Sequence, residues 1–418
     1  MSSLSQLAES LTGSEIVRLG NEISRRVQQG EKIYNYTIGD FDPEIFPLPA
    51  LLEELIIESY KQKNTSYPPA DGLLELRDAV SKFVQKNDGI SYSTGEIQIA
   101  SGGRPLIYGL FKTVVDKDDK VIYAVPSWNN NHYTGMNLGK HCMIEAFPEN
   151  NFMPSVEDLR PHIAGAALLC LCSPQNPTGT VMSKETMEGI CDLILEENRK
   201  RTGKEKKLYL LFDQMYSLLT YGNTRHYHPV ALRPEMKDYT ITVDGISKTF
   251  AATGVRVGWA TGPANVIAKI RALLSHMGGW APMAEQKAAA RFLVHTESID
   301  AFLAQFKAGL QDRLETIYDG IIRMKDAGLP IDCITPQAGI YLTIKLPLTG
   351  RIANGKPLET QREVTEYLLN SARLAIVPFY AFGAGNDSPW YRLSVGTCVR
   401  SEIPQMLALL EQALKELQ

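Results

Sequence analysis

The sequence lacks the features of secreted, membrane-spanning and disulfide-built proteins. Its six cysteines, among 418 residues, form no CxxC pair and show no small-domain disulfide spacing. The longest apolar runs, such as residues 166–172, are far below the ~20 residues that a membrane helix needs. The N-terminal segment MSSLSQLAES has neither the basic start nor the apolar stretch of a secretory signal. We therefore expect a soluble, cytoplasmic protein.

A basic excess and internal repeats are also missing. The 43 basic and 47 acidic residues give a formal net charge of −4. A nucleic-acid-binding surface normally shows as a basic excess or stripe, so we expect no nucleic-acid partner. No fixed-period repeat or low-complexity tract is present, which argues against a solenoid. The length itself predicts two or three domains.

The middle of the chain alternates short apolar runs with helical patterns such as residues 184–199. Apolar runs without alternation are typical of strands that are covered on both faces, and hence of a parallel sheet. We predict an α/β fold with three layers and a mostly parallel sheet in a large domain. The five runs are residues 96–100, 121–125, 166–172, 208–212 and 240–243.

Polar or glycine-rich residues follow each of these runs. Open α/β sheets bind their ligands just beyond the carboxyl ends of their strands. The sequence therefore places the functional site at that edge before its chemistry is known. The following segments are residues 101–103 (SGG), 126–128 (PSW), 173–179 (SPQNPTG), 213 (D) and 244–248 (DGISK).

The C-terminal third has a different pattern, which predicts a smaller α+β domain. We expect an N-terminal segment, 1–48, that packs with this small domain, a large domain, 49–295, and the small domain, 296–418. The supporting patterns are helical at about 283–325 and 402–417 and strand-like near 340–346, 374–377 and 391–395.

Residues 245–258, GISKTFAATGVRVG, carry the sharpest chemical signal. A lysine among small residues after a buried strand can be desolvated and form a Schiff base with an aldehyde. An arginine eight residues later can bind a phosphate with its planar fork of donors. The segment resembles the lysine signature of class I and II aminotransferases, the fold-type-I enzymes that use pyridoxal 5′-phosphate (PLP). The resemblance implies that Lys248 holds PLP and carries protons, and that Arg256 and Ser247 bind the cofactor.

The segment Phe212–Tyr216, FDQMY, is similar to the next element of that family. A charge at Asp213, at the end of a buried strand, would be costly without a cation. The resemblance supplies one, the protonated pyridine nitrogen of PLP, and implies that Tyr216 bonds the phenolic oxygen of the cofactor. The alternative is that Asp213 is a helix N-cap.

Further family segments imply further cofactor contacts. Asn176, in the loop SPQNPTG, would bond the phenolic oxygen and the substrate carboxylate, and Trp128 would stack on the pyridine ring. The alternative for Trp128 is a place in the core. Gly102 and Gly103 open a helical segment whose N–H groups suit a phosphate. Tyr67, in SYPPADG, resembles the tyrosine that reaches the phosphate in the neighbouring subunit, which implies a homodimer with shared active sites.

Two arginines are candidates for substrate binding. Arg392, in WYRLSVG, resembles the arginine that grips the substrate α-carboxylate, with Gly39 as a backbone contact. The alternative for Arg392 is a solvent-facing position on an edge strand. Arg104 follows Gly102 and Gly103, where one subgroup places a lysine against a distal carboxylate. The sequence leaves open whether Arg104 binds that carboxylate or the cofactor phosphate.

The sequence departs from the family pattern in two places. Gly245 stands where many relatives have a phosphate-binding Ser or Thr, so that contact is missing or comes from Ser247. Residues 275–286 lack the arginine that another subgroup uses for a distal carboxylate. His226 and His228, with no third ligand in the pattern, are interpreted as surface histidines, so we predict no metal site.

Together these residues predict a PLP-dependent aminotransferase. It would move the amino group of an L-amino acid, with aspartate and glutamate as candidates, to a 2-oxo acid. One alternative is a PLP-dependent C–S β-lyase of the same fold. Another is a PLP-binding regulator; such proteins carry an N-terminal DNA-binding domain, whereas about 30 residues precede Tyr34 here.

Overall fold

The computed structural model describes residues 4–11 and 15–418. Residues 1–3 and 12–14, which belong to the predicted N-terminal segment, lie outside the described residues. Within the described residues, no helix combines the length and the apolar character needed to cross a membrane.

The largest element of the fold is a seven-stranded sheet with the spatial order β1-β7-β6-β5-β4-β2-β3. All neighbouring strands pair in parallel except β7, which is antiparallel to β1 and β6. The mostly parallel sheet that the apolar runs predict is therefore confirmed. The strands are β1 Ile97–Ala100, β2 Lys120–Val125, β3 Lys140–Glu145, β4 Ala166–Cys172, β5 Tyr209–Asp213, β6 Thr240–Gly245 and β7 Gly258–Thr261.

Helices cover both faces of this sheet, because alternate side chains of each strand point to opposite sides. Phe212 and Trp259 pack in a core with the helices Leu74–Asp88 and Lys184–Lys200 on one face. The neighbouring Leu211 and Ala260 pack on the opposite face, against Gly103–Val114 and Ala264–Met277. The predicted three-layer arrangement is confirmed.

The sequence patterns miss two strands of this sheet. β3 is an edge strand whose side chains are mostly exposed, so it lacks the continuous apolar run used to find the others. β7 is only four residues long and follows directly on the glycine- and arginine-containing segment. A short or exposed strand contains too few consecutive apolar residues to be recognised from the hydrophobic pattern.

A second, antiparallel sheet lies in the C-terminal third, with the order β10-β11-β9-β8. The long helix Thr296–Asp326 and the helices Gln361–Ser371 and Ile403–Lys415 share its hydrophobic core. This is the α+β pattern predicted for that region. The strands are β8 Asp332–Cys333, β9 Tyr341–Lys345, β10 Val377–Pro378 and β11 Trp390–Ser394.

The described N-terminal residues run along this second sheet. The short strand Tyr34–Asn35 pairs in parallel with Leu374–Ala375. Leu19 and Ile23 of the helix Glu15–Gln28 pack on Leu369. This path brings the segment around Gly39 to the space between the two sheets.

The remaining elements connect these layers. Two short strands, Ile352–Ala353 and Lys356–Pro357, form a separate hairpin. The remaining α-helices are Gln6–Ser10, Ala50–Lys61, Asn130–Met136, Val156–Leu159, Pro229–Leu232, Ile246–Thr249 and Met283–Leu293.

Candidate active site

A cavity of about 660 Å³ lies between the two sheets, where the carboxyl ends of β4, β5 and β6 meet. We call its two sides the large-sheet wall (Trp128, Asn176, Asp213, Tyr216, Lys248, Arg256) and the small-sheet wall (Gly39, Tyr341, Arg392). The predicted site residues that line it are Gly39, Gly103, Arg104, Trp128, Asn176, Asp213, Tyr216, Ser247, Lys248, Arg256 and Arg392.

Lys248 lies in the one-turn helix Ile246–Thr249 that follows β6. Its Nζ donates a hydrogen bond of 2.6 Å to the carbonyl oxygen of Gly39. Burial lowers the pKa of Lys248 to about 8; the charge of Asp40 opposes this shift, and that of the nearby Arg392 contributes to it. An amine that loses its proton near neutral pH can act as a nucleophile and as a base.

Asp213 ends β5, is half-buried and lines the cavity. The backbone N–H of Met215 donates to its Oδ1 at 3.2 Å, and no ion pair of Asp213 is present within the described residues. Burial raises the pKa of Asp213 to about 6. Residues 215–218 form a turn, so the alternative of a helix N-cap is wrong. Because a carboxylate removed from water is stabilised by a cation, Asp213 is suited to bind a cationic ring nitrogen.

Gly102 and Arg256 form a tight corner at the start of the helix Gly103–Val114. Gly102 has a φ of +81°, and a Cβ there would lie 2.2 Å from Nη2 of Arg256. The same Nη2 donates to the carbonyl oxygen of Ser101 at 2.8 Å. A helix N-terminus beside a guanidinium group is suited to a phosphate, and only glycine leaves room for that approach.

The structure explains why Gly245 carries no hydroxyl side chain. A Cβ at Gly245 would lie 2.9 Å from the Cα of Gly258 in the adjacent strand β7. The two backbones are too close for a Ser or Thr. Ser247, two residues later, is buried and lines the cavity.

Arg392 lies on β11 and is only 2% exposed, so the alternative of a solvent-facing arginine is wrong. Its Nη1 donates to Oδ1 of Asn176 at 2.9 Å, and its Nη2 donates to the carbonyl oxygen of Thr37 at 2.6 Å. Its Nε is buried and has no hydrogen-bond partner among residues 4–11 and 15–418. Burial lowers the pKa of Arg392 from its usual value. A buried guanidinium group with an unused donor is prepared for an anionic ligand.

Tyr341, on β9, is a residue of the site that the sequence reasoning missed. Its hydroxyl oxygen lies 2.7 Å from that of Tyr216. The guanidinium carbon of Arg392 lies 4.7 Å from the centre of the Tyr341 ring. A Cβ on Gly39 would lie 2.8 Å from the Tyr341 hydroxyl, so the ring also explains why position 39 must be glycine.

Arg104 and Trp128 meet at the mouth of the cavity. The guanidinium carbon of Arg104 lies 5.3 Å from the centre of the Trp128 ring, which is a cation–π contact. Trp128 is half-buried and lines the cavity, so it is not simply a core residue. Arg104 itself is exposed.

Tyr67 does not line this cavity. Its side chain is 85% exposed and meets the edge of the Trp280 ring, with 5.3 Å between ring centres. A tyrosine in this position is accessible to a second subunit. The residues around it, from Tyr60 to Pro68 and from Gly278 to Glu285, line a separate surface depression.

The interpretation of His226 and His228 as surface histidines is wrong. His228 is 3% exposed and its Nε2 lies 3.0 Å from Oγ1 of Thr242. His226 is half-buried and lies 3.1 Å from Oε1 of Gln214. Burial lowers the pKa of both imidazoles, for His226 to about 4. Both rings are therefore neutral parts of the core beside Phe212.

Comparison with known proteins identifies the chemistry of this cavity. A family model described as aminotransferase class I and II matches residues 31–409. The chain belongs to this family. The aspartate aminotransferase of Rhizobium meliloti is 26% identical over 408 residues, which are 97% of this chain and 94% of that protein.

Solved structures of aminotransferases have the same fold over the whole chain. A crystal structure of the aspartate aminotransferase from Rhizobium meliloti has a TM-score of 0.91 and 26% identity, with 100% of both chains covered. The aromatic aminotransferase from Pyrococcus horikoshii OT3 has a TM-score of 0.82 and 26% identity, with 94% of this chain and 99% of that chain covered.

The protein is therefore a PLP-dependent aminotransferase with an amino acid and a 2-oxo acid as substrates. The predicted fold-type-I architecture and cofactor are confirmed, and aminotransfer is favoured over the β-lyase and regulator alternatives. The cavity fits PLP by its own chemistry. It contains a buried lysine with a lowered pKa, a buried carboxyl group without a cation, and a glycine corner that a Cβ would fill.

Proposed function

We propose that this aminotransferase prefers dicarboxylic substrates, aspartate or glutamate, as amino donors. The observation that carries the proposal is the pair of arginines at one cavity, Arg392 buried in its floor and Arg104 at its mouth. An arginine binds a carboxylate through two parallel hydrogen bonds. Two such groups match an amino acid with one carboxylate at each end.

The position of Arg104 favours the substrate over the phosphate. Arg256 already contacts the Gly102 corner, through a donor 2.8 Å from the carbonyl oxygen of Ser101. Arg104 instead lies over the ring of Trp128. Several relatives of this chain are aspartate aminotransferases by name, which supports a dicarboxylic donor. The similarity to an aromatic aminotransferase supports a neutral donor as the second candidate.

The geometry of the large-sheet wall and the family resemblance support the following roles. Lys248 would hold PLP and, once released, carry the proton from the substrate Cα. Asp213 would keep the pyridine nitrogen protonated, and Tyr216 and Asn176 would donate to the phenolic oxygen. Trp128 would lie against the ring. Bound PLP supplies an electron sink for the pair left at Cα.

The phosphate and carboxylate contacts complete the proposal. The N–H group of Gly103, with Ser247 and Arg256, would bind the phosphate. Gly102 would contribute the room for its approach, since the Gly102 N–H donates to the carbonyl oxygen of Ala100 at 2.7 Å. Arg392, Asn176 and the backbone at Gly39 would hold the α-carboxylate. A fixed carboxylate orients the Cα–H bond toward the Lys248 amine, and that orientation selects which bond breaks.

The experiment compares Arg104→Gln with the wild-type enzyme, using aspartate and alanine as donors. We expect kcat/KM for aspartate to fall at least about 30-fold more than for alanine, since a charge-assisted pair is worth about 2–5 kcal/mol. Arg362→Gln is the matched control, because Arg362 pairs with Glu366 on an exposed helix. Equal losses for the two donors would contradict the dicarboxylic preference.

We further propose a homodimer in which Tyr67 reaches the phosphate of the partner's cavity. The exposed position of Tyr67 on Trp280 supports this arrangement. Mixed dimers of Tyr67→Phe and Lys248→Ala subunits should regain activity at one cavity that contains neither substitution. Mixed dimers without any regained activity would argue against a shared site.

The proposed division of the chain is 1–48, 49–295 and 296–418. The last boundary falls just before the helix Thr296–Asp326, and the first falls before the helix Ala50–Lys61. The contact between Leu19, Ile23 and Leu369 supports an N-terminal segment that packs with the small domain. A cytoplasmic location is part of the same proposal, and fractionation of the source cells would test it.

A further inference from the structure

Tyr341 joins the two walls of the cavity. Its ring packs on the guanidinium group of Arg392, and its hydroxyl meets the hydroxyl of Tyr216 at 2.7 Å. Both tyrosines are less than 5% exposed, and both line the cavity. The two rings meet edge to face, with 5.6 Å between their centres. This packing fixes the pair of hydroxyls.

The strand pairing explains why Tyr341 occupies this place. On β9, Tyr341 lies two residues from Thr343, which is directly opposite Arg392 on β11. Side chains two residues apart on a strand share a face, as do directly opposite side chains. Tyr341 and Arg392 therefore project together toward the cavity.

A hydroxyl has one proton, so only one member of the pair can donate to the other. The positive charge of Arg392 over its ring makes the Tyr341 phenol the stronger donor. When Tyr341 donates, the proton of Tyr216 is free to point into the cavity. A hydroxyl that accepts one hydrogen bond also donates more strongly in the next one.

We infer that Tyr341 is a positioning residue, whose hydroxyl donates to Tyr216 and strengthens the hydrogen bond that Tyr216 gives to the cofactor. The inference rests on the proposed role of Tyr216. It goes beyond that role because it assigns a function to a residue of the small-sheet wall. Tyr341 acts through Tyr216 and need not touch the cofactor itself.

The test is a pH titration of the absorbance of the bound cofactor, without substrate, in the wild-type enzyme, Tyr216→Phe and Tyr341→Phe. A hydrogen bond to the phenolic oxygen favours its anionic form and so lowers the pH at which the absorbance changes. We expect Tyr216→Phe to raise this midpoint by about 1–2 pH units. Tyr341→Phe should raise it by about 0.3–0.5 pH unit, as a lost cooperative contribution.

Tyr221→Phe is the matched control. The Tyr221 hydroxyl is buried and donates to the carbonyl oxygen of Gly339, two residues before Tyr341, but Tyr221 does not line the cavity. Its loss should lower the unfolding temperature and leave the titration midpoint unchanged. Phenylalanine keeps the ring at each position, and cofactor content and unfolding temperature would be measured for every variant.

The outcomes distinguish a failure of the inference about Tyr341 from a failure of the proposed role of Tyr216. An unchanged midpoint in Tyr216→Phe would overturn the proposed role of Tyr216. A shift in Tyr216→Phe without a shift in Tyr341→Phe would overturn only the inference about Tyr341. An equal shift in Tyr341→Phe and Tyr221→Phe would also overturn it, because the effect would then come from packing. In Tyr341→Phe, we expect KM for the amino donor to change less than threefold.

Discussion

The two walls of the cavity are built in different ways. The large-sheet wall comes from successive strand ends of one sheet, since Asp213 ends β5 and Lys248 lies in the helix after β6. The small-sheet wall combines Gly39 with Tyr341 and Arg392, which lie more than 300 residues later in the chain. The first wall is built at one edge of a single sheet, whereas the second wall depends on how β9, β11 and the N-terminal segment meet.

The walls also differ in their electrostatics. In the large-sheet wall, burial raises the pKa of Asp213 to about 6 and lowers the pKa of Lys248 to about 8. Both groups are therefore close to changing charge near neutral pH. The guanidinium group of Arg392 keeps its charge, although burial lowers its pKa. We interpret the large-sheet wall as the place of bond chemistry and the small-sheet wall as the place of orientation.

Among the variants that compare the two walls, Asp213→Asn should have the largest effect. An amide cannot keep the pyridine nitrogen protonated, so the activation free energy of the first half-reaction should rise by several kcal/mol. Its rate should therefore fall by about 10²–10³-fold. Stopped-flow absorbance with saturating amino donor measures this rate directly.

Asp244→Asn is the matched control for this effect. Asp244 is also a buried carboxyl group with a raised pKa, but it bonds the N–H of Gly245 at 2.7 Å and does not line the cavity. We expect its half-reaction rate to stay within about threefold of wild type. Equal losses in the two variants would remove the special role of Asp213.

A smaller effect is expected from Arg392→Lys, which keeps the charge but loses the fork of donors. We expect a lower kcat/KM for every amino donor, because the α-carboxylate is common to all of them. The loss corresponds to about 2–3 kcal/mol of transition-state binding free energy. The loss should appear in KM more than in the saturated half-reaction rate, the opposite of Asp213→Asn. A loss confined to the saturated half-reaction rate would contradict the assignment of substrate orientation to the small-sheet wall.

The smallest effect concerns pH. In the cofactor-free enzyme, Lys248 is protonated below its lowered pKa of about 8. The neutral amine is the nucleophile, so the rate of PLP uptake should rise about tenfold per pH unit up to about pH 8 and then level off.

A variant at Asp40 sharpens this pH test. The charge of Asp40 favours protonated Lys248, so in Asp40→Asn the rate of PLP uptake should level off at a lower pH. If the wild-type rate levelled off only near the ordinary lysine pKa, about 10.4, the desolvation of Lys248 would be contradicted.

The difference between the walls also explains what the sequence could predict. Asp213 and Lys248 lie in polar segments that follow apolar runs, which places them at the predicted site, while their roles and that of Arg256 come from the resemblance to the family. Their placement around one cavity follows from the parallel sheet. Arg392 was found only because its segment resembles a family motif.

Long-range contacts could not be predicted from the sequence. Tyr341 lies in an alternating strand with no motif, and its contact with Tyr216 spans 125 positions. The approach of Gly245 to Gly258, which excludes a hydroxyl side chain, depends on the pairing of β6 with the missed strand β7. The burial of His228 depends on Thr242, which belongs to another element.

Reductive trapping of the holoenzyme tests the central claim most directly. Borohydride should fix PLP covalently to one lysine, and peptide mass spectrometry of the digested enzyme identifies that residue. We predict that the cofactor is found on Lys248 alone. We also predict that Lys248→Ala retains folded protein, shown by an unchanged unfolding profile, but traps no cofactor and loses turnover by at least about 10⁴-fold. Cofactor trapped on another lysine, or trapped in Lys248→Ala, would contradict the account.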